Sequence, residues 1–446
     1  MKQEQLLEKL RHASERVPLL FEKLYGVEEA GQGCRRYLGL AENFPFDNEV
    51  KKDDADLRLF TAAGRTELGG NHTDHNYGKV LAASVQLDQA AVAAKRADGK
   101  VFFRSTGFPD VTVDLSNLEP DEREYGTTEA LIRGIAAELH KRGIVLGGIS
   151  VNADSAIFAG SGLSSSAAVE VLFGRIFDNL YGGGNRTALE IAQIGQKAEN
   201  VFFGKPCGLM DQTACASGGA VAIDFADVEK PLVKRVNVDL DAAGYTLCVV
   251  NTRGSHADLT PDYAAIPAEM KAVAAFFGKK VLRECDEESV ESRAAEIRRT
   301  CGDRALLRAL HFFDENQRVD AMLAALEKLD AASGHSSRRE AIIEYLGLIN
   351  DSGHSSWELL QNVYSTQNVR EQGASLGLVL TRDFLRAETT APGACRIHGG
   401  GFAGTIAAYL PLNTLQNYRK IMDAVFGADS VIPLRIRPTG AEELTV

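Results

Sequence analysis

The chain carries a single tryptophan in 446 residues and only seven cysteines, at positions 34, 207, 215, 248, 285, 301 and 395. No two of these cysteines make a CxxC pair and their number is odd, which excludes a disulfide framework and a paired-thiolate metal site as the organising principle. The thiols are expected to be reduced and to serve as small apolar residues. No apolar run approaches the length of a bilayer span. The opening stretch Met1 to Arg11 is charged and lacks the apolar core of a signal peptide. A cytoplasmic location and no membrane partner are therefore expected. Positive charge is also in deficit: 49 Lys and Arg stand against 61 Asp and Glu, a formal net charge of -12. That balance argues against nucleic acid as a partner. Internal repeats, low-complexity tracts and long polar linkers are missing as well.

What is present is an ordinary globular composition, 45% hydrophobic and 25% charged, in a chain long enough for two or three domains. The expected division is 1–225 and 226–446, with the two halves sharing one interface. Helical spacing of Leu6, Leu7, Leu10, Val17, Leu20 and Phe21 predicts one or two helices before residue 25. The stretch from Gly26 to Asp56 is turn-rich and shows no clear element. Strands are expected at Leu57–Phe60, Val80–Ala94, Val101–Ser105, Gly148–Phe158, Gly218–Phe225 and Thr246–Asn251. Helices are expected at Thr127–Arg142, Ala188–Phe203, Tyr263–Phe277, Glu288–Arg298, Arg304–Leu310 and Glu315–Leu329.

The chain is organised around Ala159-Gly160-Ser161-Gly162-Leu163-Ser164-Ser165-Ser166-Ala167-Ala168. A strand pattern precedes it and a helical pattern follows. A glycine-serine run there lies at a helix N-terminus, where free N–H groups and the positive dipole end favour an anion. Glycines let backbone approach a phosphate, and serine hydroxyls bond phosphate oxygens or a metal ion. No Lys follows the second glycine, so this is not the Walker A loop.

Two further motifs flank it. Ala63 to Gly78 (AGRTELGGNHTDHNYG) is dense in donors and acceptors suited to a sugar's hydroxyls. It reads as a polar loop between strands. Gly393 to Gly404 (GACRIHGGGFAG) ends in closely spaced glycines that imply tight backbone approach. A third polar constellation, Asn350 to Ser356, is expected to precede a helix. Asp211 sits among apolar and small residues, a costly place for a carboxylate without a partner or a task.

Taken in order, GRxxxxGxHTDxNxG, GSGLSSSAA and GGGFAG resemble the galactokinase branch of the GHMP small-molecule kinases, from about Leu57 to Leu410. The resemblance implies two α+β domains, the first like ribosomal protein S5 and the second a ferredoxin-like α/β sandwich, with the active site between them. It implies transfer of the ATP γ-phosphoryl group to a sugar C1 hydroxyl, with Mg²⁺, giving galactose 1-phosphate and ADP. Gly160, Ser161, Gly162, Leu163, Ser164, Ser165 and Ser166 match the ATP-phosphate loop. Ser166 and Glu199 match the Mg²⁺ ligands, Asp211 the catalytic Asp, and Arg65 the Arg that holds it ionised. Asn71, His72, Thr73 and Asp74 match the sugar-binding tetrad. Tyr263 matches a sugar-binding Tyr, seven residues after His256. Beyond sugar and ATP no partner is implied, and a monomer or weak homo-oligomer is expected.

The sequence departs from the family at named places. The family usually reads GRVNLIGEHTDYN, whereas this chain has Asn71 for the tetrad Glu, Glu67 for an Asn and His75 for Tyr. The resemblance places the tetrad Glu at the sugar's C6 hydroxyl, so Asn71 leaves galacturonate or another galactose-like sugar as the alternative substrate. His398 replaces a usual Thr, and Ile266 a usual Arg. A non-catalytic galactose sensor is the other class to weigh. Sensors of this family lose residues from the serine loop, and here Ser164 to Ala168 is complete.

Overall fold

The computed structural model describes every residue except 16–17, 159–160, 255–258 and 403. Two sheets organise the described residues. Their strands in chain order are β1 (Arg58–Gly69), β2 (Lys79–Arg96), β3 (Lys100–Ser105), β4 (Val111–Asp114), β5 (Gly148–Ser155), β6 (Ala220–Asp224), β7 (Leu232–Val236), β8 (Tyr245–Asn251), β9 (Ala394–Ile397), β10 (Thr405–Pro411), β11 (Val431–Leu434) and β12 (Glu442–Leu444). The first sheet runs β12-β1-β2-β5-β3-β4, with β6 on β2 and β7 on β6; the second runs β11-β8-β10-β9. All pairings are antiparallel except β3 with β5. The first sheet thus takes strands from both sides of the division expected at 225/226, because β7 belongs to it and β12 returns to it.

Strand β2 explains the first sheet. Successive side chains of a strand point to opposite faces. Ala90, Val92 and Ala94 pack with the N-terminal helices α1 (Gln3–Glu15), α2 (Leu19–Tyr25) and α3 (Ala30–Glu42). Ala91 and Ala93 pack on the other face with α4 (Thr128–Lys141), α5 (Ser165–Phe177), α6 (Ala188–Lys197) and α7 (Met210–Ser217). Both faces are covered, so the strand is continuously small and apolar rather than alternating.

The second sheet is covered in the same way. Cys248, Val250, Ile406 and Ala408 face a cluster holding residues of two late helices, 373–388 and 415–426. Leu247, Val249, Ala407 and Tyr409 face the main core, where Met322 and Tyr345 from helices 303–331 and 335–355 join the sheets. The fold is therefore a mixed α/β arrangement in which one main cluster spans both sheets, with separate clusters under the N-terminal helices and under the late helices.

Four expectations are corrected. The turn-rich stretch contains α3. The polar motif after residue 63 is not a loop throughout, since β1 runs to Gly69 and only 70–78 turns. Asn350 to Ser355 lie inside a helix, 335–355, rather than ahead of one, and a single π-helical turn, 356–360, continues it; Arg304 to Leu329 form one helix rather than two.

Candidate active site

The site is built where β1, the start of α5 and the start of α7 meet. Arg65 lies in β1 with its backbone N–H on the Leu163 carbonyl at 3.1 Å. Its guanidinium grips Asp211, the second residue of α7: Nε donates to Oδ1 at 2.7 Å and Nη2 to Oδ2 at 2.8 Å. The remaining Nη1 donates to the Gly162 carbonyl. A planar fork making two parallel bonds to one carboxylate is the strongest form of this contact. Ser164 Oγ donates to the same carboxylate. Burial pushes the Asp211 carboxyl up, and Arg65, Ser164 and Lys205 outweigh it, so its pKa lies below the ordinary value.

Gly160 lies outside the described residues. The loop that follows reaches α5 through two left-handed residues, Gly162 (φ 69°) and Ser164 (φ 59°). For serine this conformation is uncommon, and held strain of this kind clusters at functional sites. The described part of the loop is closely walled, since a Cβ on Gly162 would lie 2.9 Å from His398 Nδ1. Ser165 is exposed and Ser166 half-buried at the helix start.

Ser166 Oγ donates to Glu199 Oε1 at 3.3 Å, and Glu199 is buried. Its other oxygen accepts from Gln212 Nε2 at 2.9 Å, which also donates to Glu170 at 2.9 Å. One hydroxyl and one carboxylate converging beside the serine loop fit Mg²⁺, which takes few protein oxygens and completes its shell with phosphate and water. Among the described residues no cluster of three or more His, Cys, Asp or Glu could hold a metal ion unaided.

The expected tetrad divides into two pairs. Asn71 and Thr73 are fully buried. Asn71 Nδ2 donates to Gly399 O at 2.7 Å and to Glu67 at 3.1 Å, and its Oδ1 accepts from Asn362 at 2.8 Å. Thr73 Oγ1 donates to Lys79 O at 2.6 Å. These two shape the loop. His72 and Asp74 are only partly buried. His72 Nε2 donates to Gly400 O at 2.8 Å, and burial pushes this imidazole down to about 3, so it is neutral. Asp74 packs on Gly208, three residues before Asp211, so closely that a Cβ there would lie 1.7 Å from its carboxylate. Tyr263 Oη donates to Gly401 O at 2.9 Å, while His256 lies outside the described residues.

The displaced carboxylate has its own partner. Glu67 pairs with Arg396 Nη2 at 2.7 Å, both side chains being buried. Ile266 sits in an apolar cluster with Met270 and Phe312. Sequence reasoning gave no role to Lys205. Its ammonium is 3.3 Å from Glu199, and the only local signal was a lone cation in the stop Gly204-Lys205-Pro206. It also missed the Gln212 bridge between Glu170 and Glu199.

Residues 130–219 match the GHMP kinases N-terminal domain, and residues 46–95 match the galactokinase galactose-binding signature. Together these matches define the class: a GHMP-type kinase. A galactokinase of Streptococcus suis is 33% identical over 329 residues, spanning 70% of this chain and 81% of its own. One of Streptomyces coelicolor is 29% identical over 377 residues, 83% and 89% of the two chains. The crystal structure of Lactococcus lactis galactokinase complexed with galactose aligns with a TM-score of 0.72 at 25% identity, covering 87% of this chain and 95% of that one. The chain belongs to the galactokinase family and is a sugar kinase, a phosphotransferase.

Proposed function

We propose that the protein transfers the γ-phosphoryl group of ATP to the C1 hydroxyl of galactose, giving galactose 1-phosphate and ADP. The observation that carries this is the Arg65–Asp211 pair set at the foot of the serine loop. Asp211 accepts the C1 hydroxyl proton while the hydroxyl oxygen bonds to the γ-phosphorus and the bond to the β–γ bridging oxygen breaks. Arg65 keeps the carboxylate ionised and faces the developing negative charge. Ser161 to Ser166, continuing from Gly160, cradle the phosphates. Ser166 and Glu199 would hold Mg²⁺, which when bound would neutralise phosphate charge. Asp74, His72 and Tyr263 bound the sugar, while Asn71 and Thr73 hold their loop in shape. Positioning and charge neutralisation supply most of the rate in such transfers.

A second reading, galacturonate, rests on Asn71. No carboxylate stands at that position, and the charge of Glu67 is paired with Arg396. Phosphorus NMR of the product tests the reaction. A phosphate ester coupled to the anomeric proton supports transfer to C1; an ester on any other carbon contradicts it.

A further inference from the structure

A cavity of about 240 Å³ opens between helix 260–276, helix 303–331 and the turn after residue 356. It is lined by Trp357, Tyr364, Phe402, Asp262, Arg304 and Gln361, none of which has a part in the phosphoryl transfer above. Trp357, the chain's single tryptophan, is 44% exposed and Tyr364 37%, their ring centroids 6.2 Å apart. Two half-exposed aromatic faces in a concavity are a surface waiting for an apolar contact.

The backbone at the cavity is held in an unfavourable form. Gln361 (φ 56°) and Phe402 (φ 60°) are both left-handed. For a bulky residue such as Phe this is a true outlier. Such strain persists only where the surroundings over-determine it, and it clusters at ligand sites. The surroundings are visible: the Phe402 N–H donates to Asn362 O at 2.5 Å, the Gln361 N–H to Ser356 O at 2.9 Å, and the Tyr263 ring stands edge-on to Phe402 at 5.4 Å. Behind this wall the Asn362 amide oxygen is buried without a hydrogen-bond partner among the described residues.

The charges define the ligand class. Arg304 and Arg308 both bind Glu269, and Asp262 accepts from Ser365 at 2.6 Å and Gln367 at 3.1 Å. Two guanidinium groups thus stand against two carboxylates, which leaves no excess charge for an anion. The volume lies below the ~300–1,000 Å³ of sites for drug-sized ligands, so a single ring fits and a nucleotide does not. An aromatic face with amide, carboxylate and guanidinium groups around its edge suits a ring with an apolar C–H face and a polar rim.

We propose that this cavity is a second carbohydrate site that takes one neutral pyranose ring stacked on Trp357. It lies on the Phe402 side of the glycine turn whose Gly399 and Gly400 carbonyls bind Asn71 and His72. A ring seated there fixes Phe402 and through it the turn and Tyr263. Occupancy is therefore coupled to the loop that bounds the substrate sugar, and the coupling is reciprocal.

Emission of Trp357 reads the site directly. The full chain is titrated, without nucleotide, with D-galactose, D-glucose and their methyl glycosides. The expected result is a saturable change with at least one of them, which persists in Asp74→Ala and weakens about tenfold or more in Tyr364→Ala, as loss of an aromatic contact implies. Gln361→Gly, which relieves the left-handed strain and keeps the fold, removes the amide and weakens binding too. The proposal is overturned if none of the sugars changes the emission. It is equally overturned if Asp74→Ala abolishes the change, or if both cavity variants leave it intact. None of these outcomes bears on phosphoryl transfer, which the product's phosphorus spectrum tests separately.

Discussion

Arg65 donates to both oxygens of Asp211 at 2.7 and 2.8 Å while its third nitrogen holds the Gly162 carbonyl. One side chain thus fixes the proposed base and the serine loop at once. Asp211→Asn keeps the shape and removes the proton acceptor. Its kcat is expected to fall by about 10²–10⁴-fold, the usual contribution of a general base. Galactose binding, read by calorimetry, stays measurable. Turnover like that of the parent chain would remove Asp211 from the mechanism.

The same pair sets a pH dependence. Burial pushes the Asp211 carboxyl up and Arg65 more than offsets it, so the carboxylate ionises below the ordinary range. The acid limb of kcat/KM, which reports the free enzyme, is expected below about pH 4. Arg65→Lys substitutes a point charge for the two-pronged fork. The limb then moves to higher pH and kcat/KM falls about tenfold or more. An unmoved limb would show that Arg65 does not set the ionisation of Asp211.

How much of this was readable in the chain follows from where each residue finds its partner. The placement of the serine loop between a strand and a helix was legible because strand, glycines, serines and helix are contiguous. Helix α3 was not, since Gly31, Gly33 and Gly39 argue against a helix locally. Gly33 is there because the Tyr25 ring packs on it, a Cβ falling 2.2 Å from that ring. The extension of β1 through Arg65, Thr66 and Glu67 was hidden for a similar reason. Polar residues read as loop until their partners Asp211, His398 and Arg396 are seen, all more than 140 positions away. Asn350 and Ser352 likewise read as loop, but Cys395 N–H donates to Asn350 and Ser352 donates to Glu315.

Glu67 and Arg396 make a fully buried pair, and breaking it leaves one charge without its counterpart. Arg396→Met is expected to cost about 3–5 kcal/mol of stability. Urea unfolding measures it; an unchanged midpoint would mean that Asn71 alone satisfies Glu67.

Asp88 ties the N-terminal helices to the rest. It accepts from Arg36 at 2.5 Å, Tyr25 at 2.9 Å, Thr61 at 2.5 Å and Arg437 at 3.0 Å. Burial pushes its carboxyl up, and the two guanidinium groups carry it below its ordinary value. A lowered folded-state pKa means stability that is present above the ordinary range of about 4 and lost as pH falls below it. Asp88→Asn is expected to flatten the acid limb of a stability–pH curve and to expose α1 to α3 to hydrogen exchange first. A parent-like curve would show that the cluster contributes nothing through charge.

The most direct measurement of the central claim is ADP release by the purified chain with ATP and Mg²⁺ across galactose, galacturonate, N-acetylgalactosamine, glucose and arabinose. Galactose is expected to have the highest kcat/KM, and Asp211→Asn to lower the activity with every sugar by about 10²–10⁴-fold. Galacturonate ranking first would instead mark Asn71 as a changed C6 position. No ADP release with any sugar, with galactose binding intact, would contradict phosphoryl transfer altogether.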